Sequence, residues 1–273
     1  MDLVVIGGSG LLGQETTRQA RRAGARVLAT YHRRVPAIAG VQWRPLDIRN
    51  RDEVMDLIQQ VRPAAIINAA FRQADWVTTA DGAMHVAAAA ACAAARLVHV
   101  SSDAIFSGRA SSYDETCSPD PTTPYGAAKA AAETAVKGLA PDAVIARTSL
   151  IIGGGDSQHE RYVHALAAGT TRGVLFTNDV RCPVHVTDLA SGLLELARSR
   201  YSGIHHLAGA DALSRHELGV LIARRDGLDG AELPGGLRTE GPLDVRLDCG
   251  MTQARLKTRL RGAREFLATE LDH

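Results

Sequence analysis

The chain has almost no charge excess. Its 273 residues carry 31 lysines and arginines against 30 acids, a net charge of +1, so no global field favours nucleic acid or an anionic membrane. Paired cysteines are missing too: Cys92, Cys117, Cys182 and Cys249 are scattered and form no C-x-x-C, which excludes a zinc ribbon or a disulfide framework and fits a reducing cytoplasm. No apolar run is long enough to span a bilayer, the longest uncharged stretch, residues 82–95, being alanine-dominated and short. A strand-like run at residues 3–6 starts almost at Met1 and leaves no room for a signal peptide, so a cytoplasmic protein is expected. Internal repeats, low-complexity linkers and charge blocks are also lacking, and Pro234-Gly235-Gly236 marks only a loop. A small-molecule protein remains.

The composition is that of an ordinary globular protein, 45% hydrophobic and 22% charged, and its order is informative. Short β-branched runs at residues 3–6, 26–30, 41–46, 64–68, 97–101 and 143–147 alternate with longer segments rich in helix formers at 11–23, 52–61, 83–95 and 125–139. Strands joined by crossover helices make an α/β fold, a doubly wound parallel sheet of Rossmann type. Beyond Ser149 the regularity loosens, with shorter helices expected at 188–198, 215–224 and 252–260. This divides a dinucleotide-binding domain, residues 1–149, from a small α/β C-terminal region, residues 150–273, which binds substrate and is interleaved with the same fold.

Ile6-Gly7-Gly8-Ser9-Gly10-Leu11-Leu12-Gly13 follows the first strand and opens the first helix, where a dinucleotide fingerprint must sit. Glycine permits the tight turn and the close approach of a pyrophosphate, and the helix N-terminus aims amides at its oxygens. Two registers fit, Gly7/Gly10/Gly13 and Gly8/Gly10/Gly13; spacing does not choose between them. After the second strand, Tyr31-His32-Arg33-Arg34 lacks the acid that would hold an adenosine ribose 2′-hydroxyl. Two guanidiniums suit a 2′-phosphate, so NADP(H) is expected over NAD(H). Asp47, with Ile48 beside it, can accept from the adenine amino group or cap the next helix.

Tyr125-Gly126-Ala127-Ala128-Lys129 sets a phenol and an ammonium four apart on one helix face. A nearby positive charge lowers a phenol pKa, and such a tyrosine can give a proton to a carbonyl oxygen as hydride arrives. Ser101-Ser102-Asp103 ends a strand at the sheet's carboxyl edge, putting a hydroxyl beside that phenol.

With these pieces in order, the chain resembles an extended short-chain dehydrogenase/reductase of the dTDP-4-dehydrorhamnose reductase family, which includes the regulatory β subunit of methionine adenosyltransferase. The resemblance runs through the glycine turn, Ile67-Asn68-Ala69-Ala70, Val100-Ser101-Ser102-Asp103 with Phe106 and Gly108, Tyr125-Gly126 with Lys129 and Glu133, Arg147, Pro183-Val184-His185-Val186, Asp188-Leu189-Ala190 and Leu247-Asp248. It implies Ser102, Tyr125 and Lys129 as the catalytic set. It also implies a cofactor groove lined by Gly7, Ser9, Gly10, Leu11, Leu12, Gly13, His32, Arg33, Arg34, Asp47, Ile48, Asn68, Ala69, Ala70, Tyr125 and Lys129, the lysine also able to hold the nicotinamide ribose, with substrate meeting Phe71, Asp103 and Arg147.

The chain departs from the family pattern in a shortened stretch at residues 72–83, with Thr79 for the usual asparagine. Ala104 replaces an aromatic, Ser107 an acid, and Gly241-Pro242 the common Arg-Pro. Loss of that arginine weakens the grip on a diphosphate. The leading expectation is an NADPH-dependent reductase of a keto group on a sugar, a nucleotide sugar or a related polyoxygenated metabolite. An NADP(H)-binding regulatory module acting through a partner protein, and an epimerase or dehydratase that retains its cofactor, use the same residues.

Three further features carry less. His205-His206 lacks a third ligand at metal spacing, so no metal is expected. Gly153-Gly154-Gly155 reads as a turn, with His159 and Arg161 near substrate. The alanines at 87–91 and 93–95 permit close helix packing, within the fold or in a homodimer.

Overall fold

The computed structural model describes residues 2–230 and 232–268. Seven strands form one parallel sheet: β1 (Asp2–Ile6), β2 (Arg26–Tyr31), β3 (Gln42–Pro45), β4 (Ala65–Asn68), β5 (Arg96–Ser102), β6 (Val144–Thr148) and β7 (Gly203–Leu207). Their order, β7-β6-β5-β4-β1-β2-β3, reverses at β1, and the crevice at such a switch point is where ligands bind in doubly wound sheets. The expected fold class is borne out.

The period-2 pattern of β1 explains the two-sided core. Leu3 and Val5 join the cluster beneath α1 (Leu11–Arg22) and α6 (Val186–Arg198), whereas Val4 and Ile6 join the opposite one, beneath α2 (Arg51–Val61), α3 (Gly82–Cys92) and α4 (Pro124–Leu139). Ala87, Ala89 and Ala90 are buried in that second cluster, and α3 packs between α2 and α4. Small residues here serve packing within the chain.

The segment after Thr148 is not set apart from the sheet, since β7 pairs with β6 and α6 lies against α1. A separate cluster, with Leu150, Val163, Leu218 and Ile222, forms under α5 (Gln158–Ala167) and α7 (Arg215–Arg225). Short pairings knit this part over the carboxyl end of the sheet: Ile151–Ile152 with Val184–His185, Val180–Arg181 with Leu213–Ser214, and Leu175–Phe176 with Gly235–Gly236.

Two helix expectations need correction. The helix expected at 252–260 is only one turn, Gly250–Gln253, because the Glu195 carboxylate takes the amides of Lys257 and Thr258 at 2.7 and 2.9 Å and holds the backbone out of a helix. Conversely, α5 was not anticipated, although Ser157 and Glu160 form a capping box at its start. No helix among the described residues is long and apolar enough to cross a membrane.

Candidate active site

The glycine turn is built as the chemistry of a phosphate cradle requires. Gly7 has φ +77°, and a Cβ there would lie 2.7 Å from the amide of Ala70; a Cβ on Gly13 would lie 2.2 Å from the Gly7 carbonyl oxygen. Gly13 thus packs against the backbone of Gly7 and Gly8, a Cβ on Gly8 would lie 2.8 Å from Ala29 Cβ, and of these three only Gly7 has a positive φ. Gly10 opens α1 with no side-chain cap and no acid in the first turn, leaving amides at a positive helix end for an anion. Asn68 supports this floor: its Oδ1 accepts from the Ala70 amide at 3.2 Å and its Nδ2 lies 3.3 Å from His99 Nδ1.

Two cavities meet at this turn. One, of 550 Å³, is lined by His32, Arg33, Arg34, Asp47, Ile48 and Ala70, with Arg72 at its rim. Asp47 does not cap α2; Asn50 does, accepting from Asp52 and Glu53. The Asp47 carboxylate is instead gripped by Arg49, whose hydrogen bond holds its pKa down at about 2. The other cavity, of 1310 Å³, is lined by the turn and by Phe71, Ser102, Asp103, Tyr125 and Lys129. All the predicted cofactor and catalytic positions except the buried Asn68 line one or other cavity, and the two share Gly7, Ser9, Gly10, Ala69 and Phe71.

Within the larger cavity, Thr123 caps α4 by accepting from the Gly126 amide at 3.1 Å, and Pro124 occupies its first turn. Gly126 is needed there because a Cβ would lie 2.1 Å from the carbonyl oxygen of Ala104. The Lys129 ammonium is buried, donates to the Val100 carbonyl at 2.9 Å, and sits 5.3 Å from the Phe71 ring centre. Phe71 is 5.9 Å from the Tyr125 ring. Ser102 accepts from the Ala104 amide at 3.2 Å and donates to Asp103 Oδ1 at 3.3 Å; Asp103 Oδ2 accepts from Ser149 Oγ at 2.6 Å.

The expected lowering of the Tyr125 pKa is overturned. Burial raises it well above the ordinary phenol value, against an opposing hydrogen bond from Ser102. The same burial brings Lys129 down to about 8, with Glu133 opposing.

Arg147 is also corrected. It is fully buried, paired with Glu133 at 2.9 Å and bonded to the Cys117 carbonyl, and so cannot meet substrate. His205 and His206 are packed: His205 Nδ1 is 3.3 Å from Thr252 Oγ1, and His206 Nδ1 is 3.0 Å from the Asp248 carbonyl oxygen. At Gly153 and Gly155 the amides bond the Glu160 carboxylate, so this turn is no second phosphate loop, while His159 and Arg161 do line the large cavity.

Two family departures have local counterparts. Thr79 Oγ1 donates to the Arg72 carbonyl at 2.8 Å and accepts from the Arg72 amide, closing the shortened stretch on itself. At Ser107 the amide donates to Asp120 Oδ1 at 2.8 Å and the hydroxyl donates to Oδ2, so the residue that departs from the pattern is tied to a carboxylate.

Sequence reasoning missed Ser149, Asp179, Arg181, Arg215 and Arg238, all at the far wall. Arg181, Arg215 and Arg238 each form an ion pair with Asp179, and the three arginines line the cleft. Only the capping box of Ser214 and Glu217 signalled where any of them would stand.

The family model described as RmlD substrate binding domain matches residues 1–272. The chain belongs to this family. It is 30% identical over 242 residues to a protein of Haloferax volcanii named as a probable low-salt glycan biosynthesis reductase, covering 82% of this chain and 80% of that protein. It is 32% identical over 228 residues to the dTDP-4-dehydrorhamnose reductase of Mycobacterium tuberculosis, covering 78% and 71%. Among solved structures, a hypothetical dTDP-4-dehydrorhamnose reductase from Sulfolobus tokodaii superposes with a TM-score of 0.83 at 29% identity, covering 96% of this chain and 97% of that one. The resemblance drawn from the motifs is borne out, and so, at the level of the family, is an oxidoreductase.

Proposed function

We propose that this chain is an NADPH-dependent reductase of a keto group on a nucleotide-linked sugar. The observation that carries the reading is the single 1310 Å³ cleft lined by the glycine turn, Ser102, Tyr125 and Lys129. The cofactor, when bound, supplies the hydride. The chain's part is then to orient the carbonyl and protonate its oxygen. A phenol whose ionisation burial disfavours is held in the protonated form that reduction uses. Ser102 shares with Tyr125 the hydrogen bond that opposes the rise in the phenol's pKa, and so orients the phenol and steadies the phenolate left after proton transfer. Lys129, with a pKa of about 8, can restore the proton near neutral pH. Arg33 and Arg34, in the smaller cavity, favour a 2′-phosphate, and Asp47 does not repel it because Arg49 neutralises its charge.

The names of the relatives, a glycan biosynthesis reductase and a dTDP-4-dehydrorhamnose reductase, support a nucleotide-linked keto-sugar as substrate. The test follows NADPH oxidation with dTDP-4-dehydrorhamnose and related nucleotide-linked keto-sugars. Tyr125→Phe is expected to lower kcat by about 10²–10⁴-fold with NADPH affinity unchanged. Unimpaired turnover in that variant removes the proton donor, and no NADPH oxidation by the unmodified chain with any such sugar overturns the reading.

A further inference from the structure

Two helices start side by side on the wall of the large cavity. α5 opens behind the capping box of Ser157 and Glu160, α7 behind that of Ser214 and Glu217, and the two helices pack together. Their first turns carry His159 and Arg215, which line the cavity together with Ser102, Tyr125 and Lys129. Arg215 Nη1 lies 3.2 Å from His159 Nδ1.

That contact fixes the proton on the imidazole. A guanidinium has only donors, so Nδ1 is the acceptor and the ring hydrogen sits on Nε2. The ring is neutral: burial, and then the Arg215 charge, hold its pKa down at about 4 against the carboxylates of Glu160 and Asp179. The positive end of α5 disfavours an imidazolium in the same sense. His159 Nε2 bonds no described residue and is not sealed from solvent, so its hydrogen is offered to the cavity.

Both members of the pair are held in place. The Arg215 amide donates to the Asp179 carbonyl at 3.0 Å, and Arg215 Nε donates to the Asp179 carboxylate at 3.4 Å. On the other side the Glu160 carboxylate takes the amides of Gly153, Gly155 and Ser157, which fixes the turn leading into α5. The donor therefore has its direction before a ligand arrives. A neutral N–H is a weak partner for a phosphate, which favours cations, and a good one for a hydroxyl or carbonyl oxygen, of which a sugar carries several. His159 lines only the larger cavity, away from the smaller one that holds Arg33 and Arg34.

We propose that His159 is a specificity-determining residue that donates from Nε2 to an oxygen of the substrate's sugar, with Arg215 the positioning residue that sets its tautomer. The assignment rests on the nucleotide-linked sugar reading above. Where that oxygen is missing the donor is left unpaired, so a sugar deoxygenated at that position is rejected.

Two measurements test it. Long-range proton–nitrogen NMR of the unmodified chain should show His159 as the Nε2–H tautomer, unchanged between about pH 5.5 and about pH 8. In Arg215→Met the ring should populate both tautomers and titrate at a higher pH. An Nδ1–H ring in the unmodified chain, or one that titrates within that range, overturns the assignment. Calorimetric titration of the full chain, saturated with NADP, then compares dTDP-glucose with dTDP. His159→Phe keeps a ring and removes the donor; it should weaken dTDP-glucose about threefold to tenfold while leaving dTDP and NADP unchanged, and should raise the KM for the keto-sugar more than it lowers kcat. His159→Gln, which keeps an N–H, should recover part of the loss. Unchanged dTDP-glucose affinity in His159→Phe, or an equal loss for dTDP, overturns the assignment and leaves the reductase reading standing if the unmodified chain reduces a nucleotide-linked keto-sugar. Binding of neither nucleotide by the unmodified chain overturns the nucleotide-linked reading and the assignment with it.

Discussion

Arg147 and Glu133 form a doubly hydrogen-bonded ion pair with neither side chain open to solvent, Nε to Oε1 at 3.0 Å and Nη2 to Oε2 at 2.9 Å. Ser101 donates to the same Oε1 at 2.6 Å. Glu133 stands one turn beyond Lys129 on α4, so the pair ties that helix to β5 and β6 directly behind the cleft. Removing one partner strands a buried charge. Arg147→Ala is expected to cost about 3–5 kcal/mol of stability, read as a lower denaturant midpoint. The KM of the folded fraction should stay unchanged; a raised KM at full stability would return Arg147 to the substrate site.

Lys129 gives a pH dependence with a definite sign. Its pKa of about 8 in the folded chain compares with 10.5 ordinarily. Below the lower value both states are protonated and the cost of burying the charge is complete. Between the two values the unfolded chain holds a proton that the folded chain has shed, so stability rises with pH; above the higher value the cost is gone. Lys129→Met should therefore abolish turnover yet stabilise the chain at pH 7 by at most about 3 kcal/mol. Denaturant unfolding from pH 7 to pH 10 should show that gain shrinking, and a constant gain would mean another group is responsible.

Cofactor choice is tested at the smaller cavity. Arg33→Ala with Arg34→Ala should weaken NADPH about tenfold to hundredfold, the loss of charge-assisted bonds to a phosphate, and leave NADH unchanged. Fluorescence titration of the two nucleotides measures this. Equal affinities in the unmodified chain would remove the preference.

Much of this was legible in sequence where the signal is local. The apolar run at residues 3–6 reads as a strand, and the glycine turn announces itself by lying between that strand and a helix. What depends on burial was not legible: the four-residue spacing of Tyr125 and Lys129 is visible, but the sign of their pKa shifts is set by desolvation that spacing does not reveal. Arg147, a substrate contact by the resemblance, is buried by a partner that its own segment does not contain, Glu133 on α4. The arginine wall was hidden differently, since Arg181, Arg215 and Arg238 belong to separate segments that meet only through short pairings such as Val180–Arg181 with Leu213–Ser214. One further signal is local: the capping box of Ser157 and Glu160 marks the start of α5.

Glu160 from that box does more than start a helix. Its buried carboxylate accepts from the amides of Gly153, Gly155 and Ser157 at 3.1, 3.0 and 2.9 Å and pairs with Arg225 Nη1 at 2.8 Å, fixing a turn whose Gly154 and Asp156 line the cleft. Burial pushes this carboxyl's pKa up, but the bonds from Ser157 and Arg225 outweigh it and hold the value below the ordinary one. The stability so gained is present above the unfolded pKa and is lost as pH falls through the lower folded one. Glu160→Gln keeps the shape, breaks the ion pair and turns an N–H donor toward other donors. It should cost about 3 kcal/mol at pH 7 and flatten the acid limb of the stability profile, while the loosened turn raises the substrate KM more than it lowers kcat. An acid limb identical to that of the unmodified chain would show that Glu160 does not hold the turn through its charge.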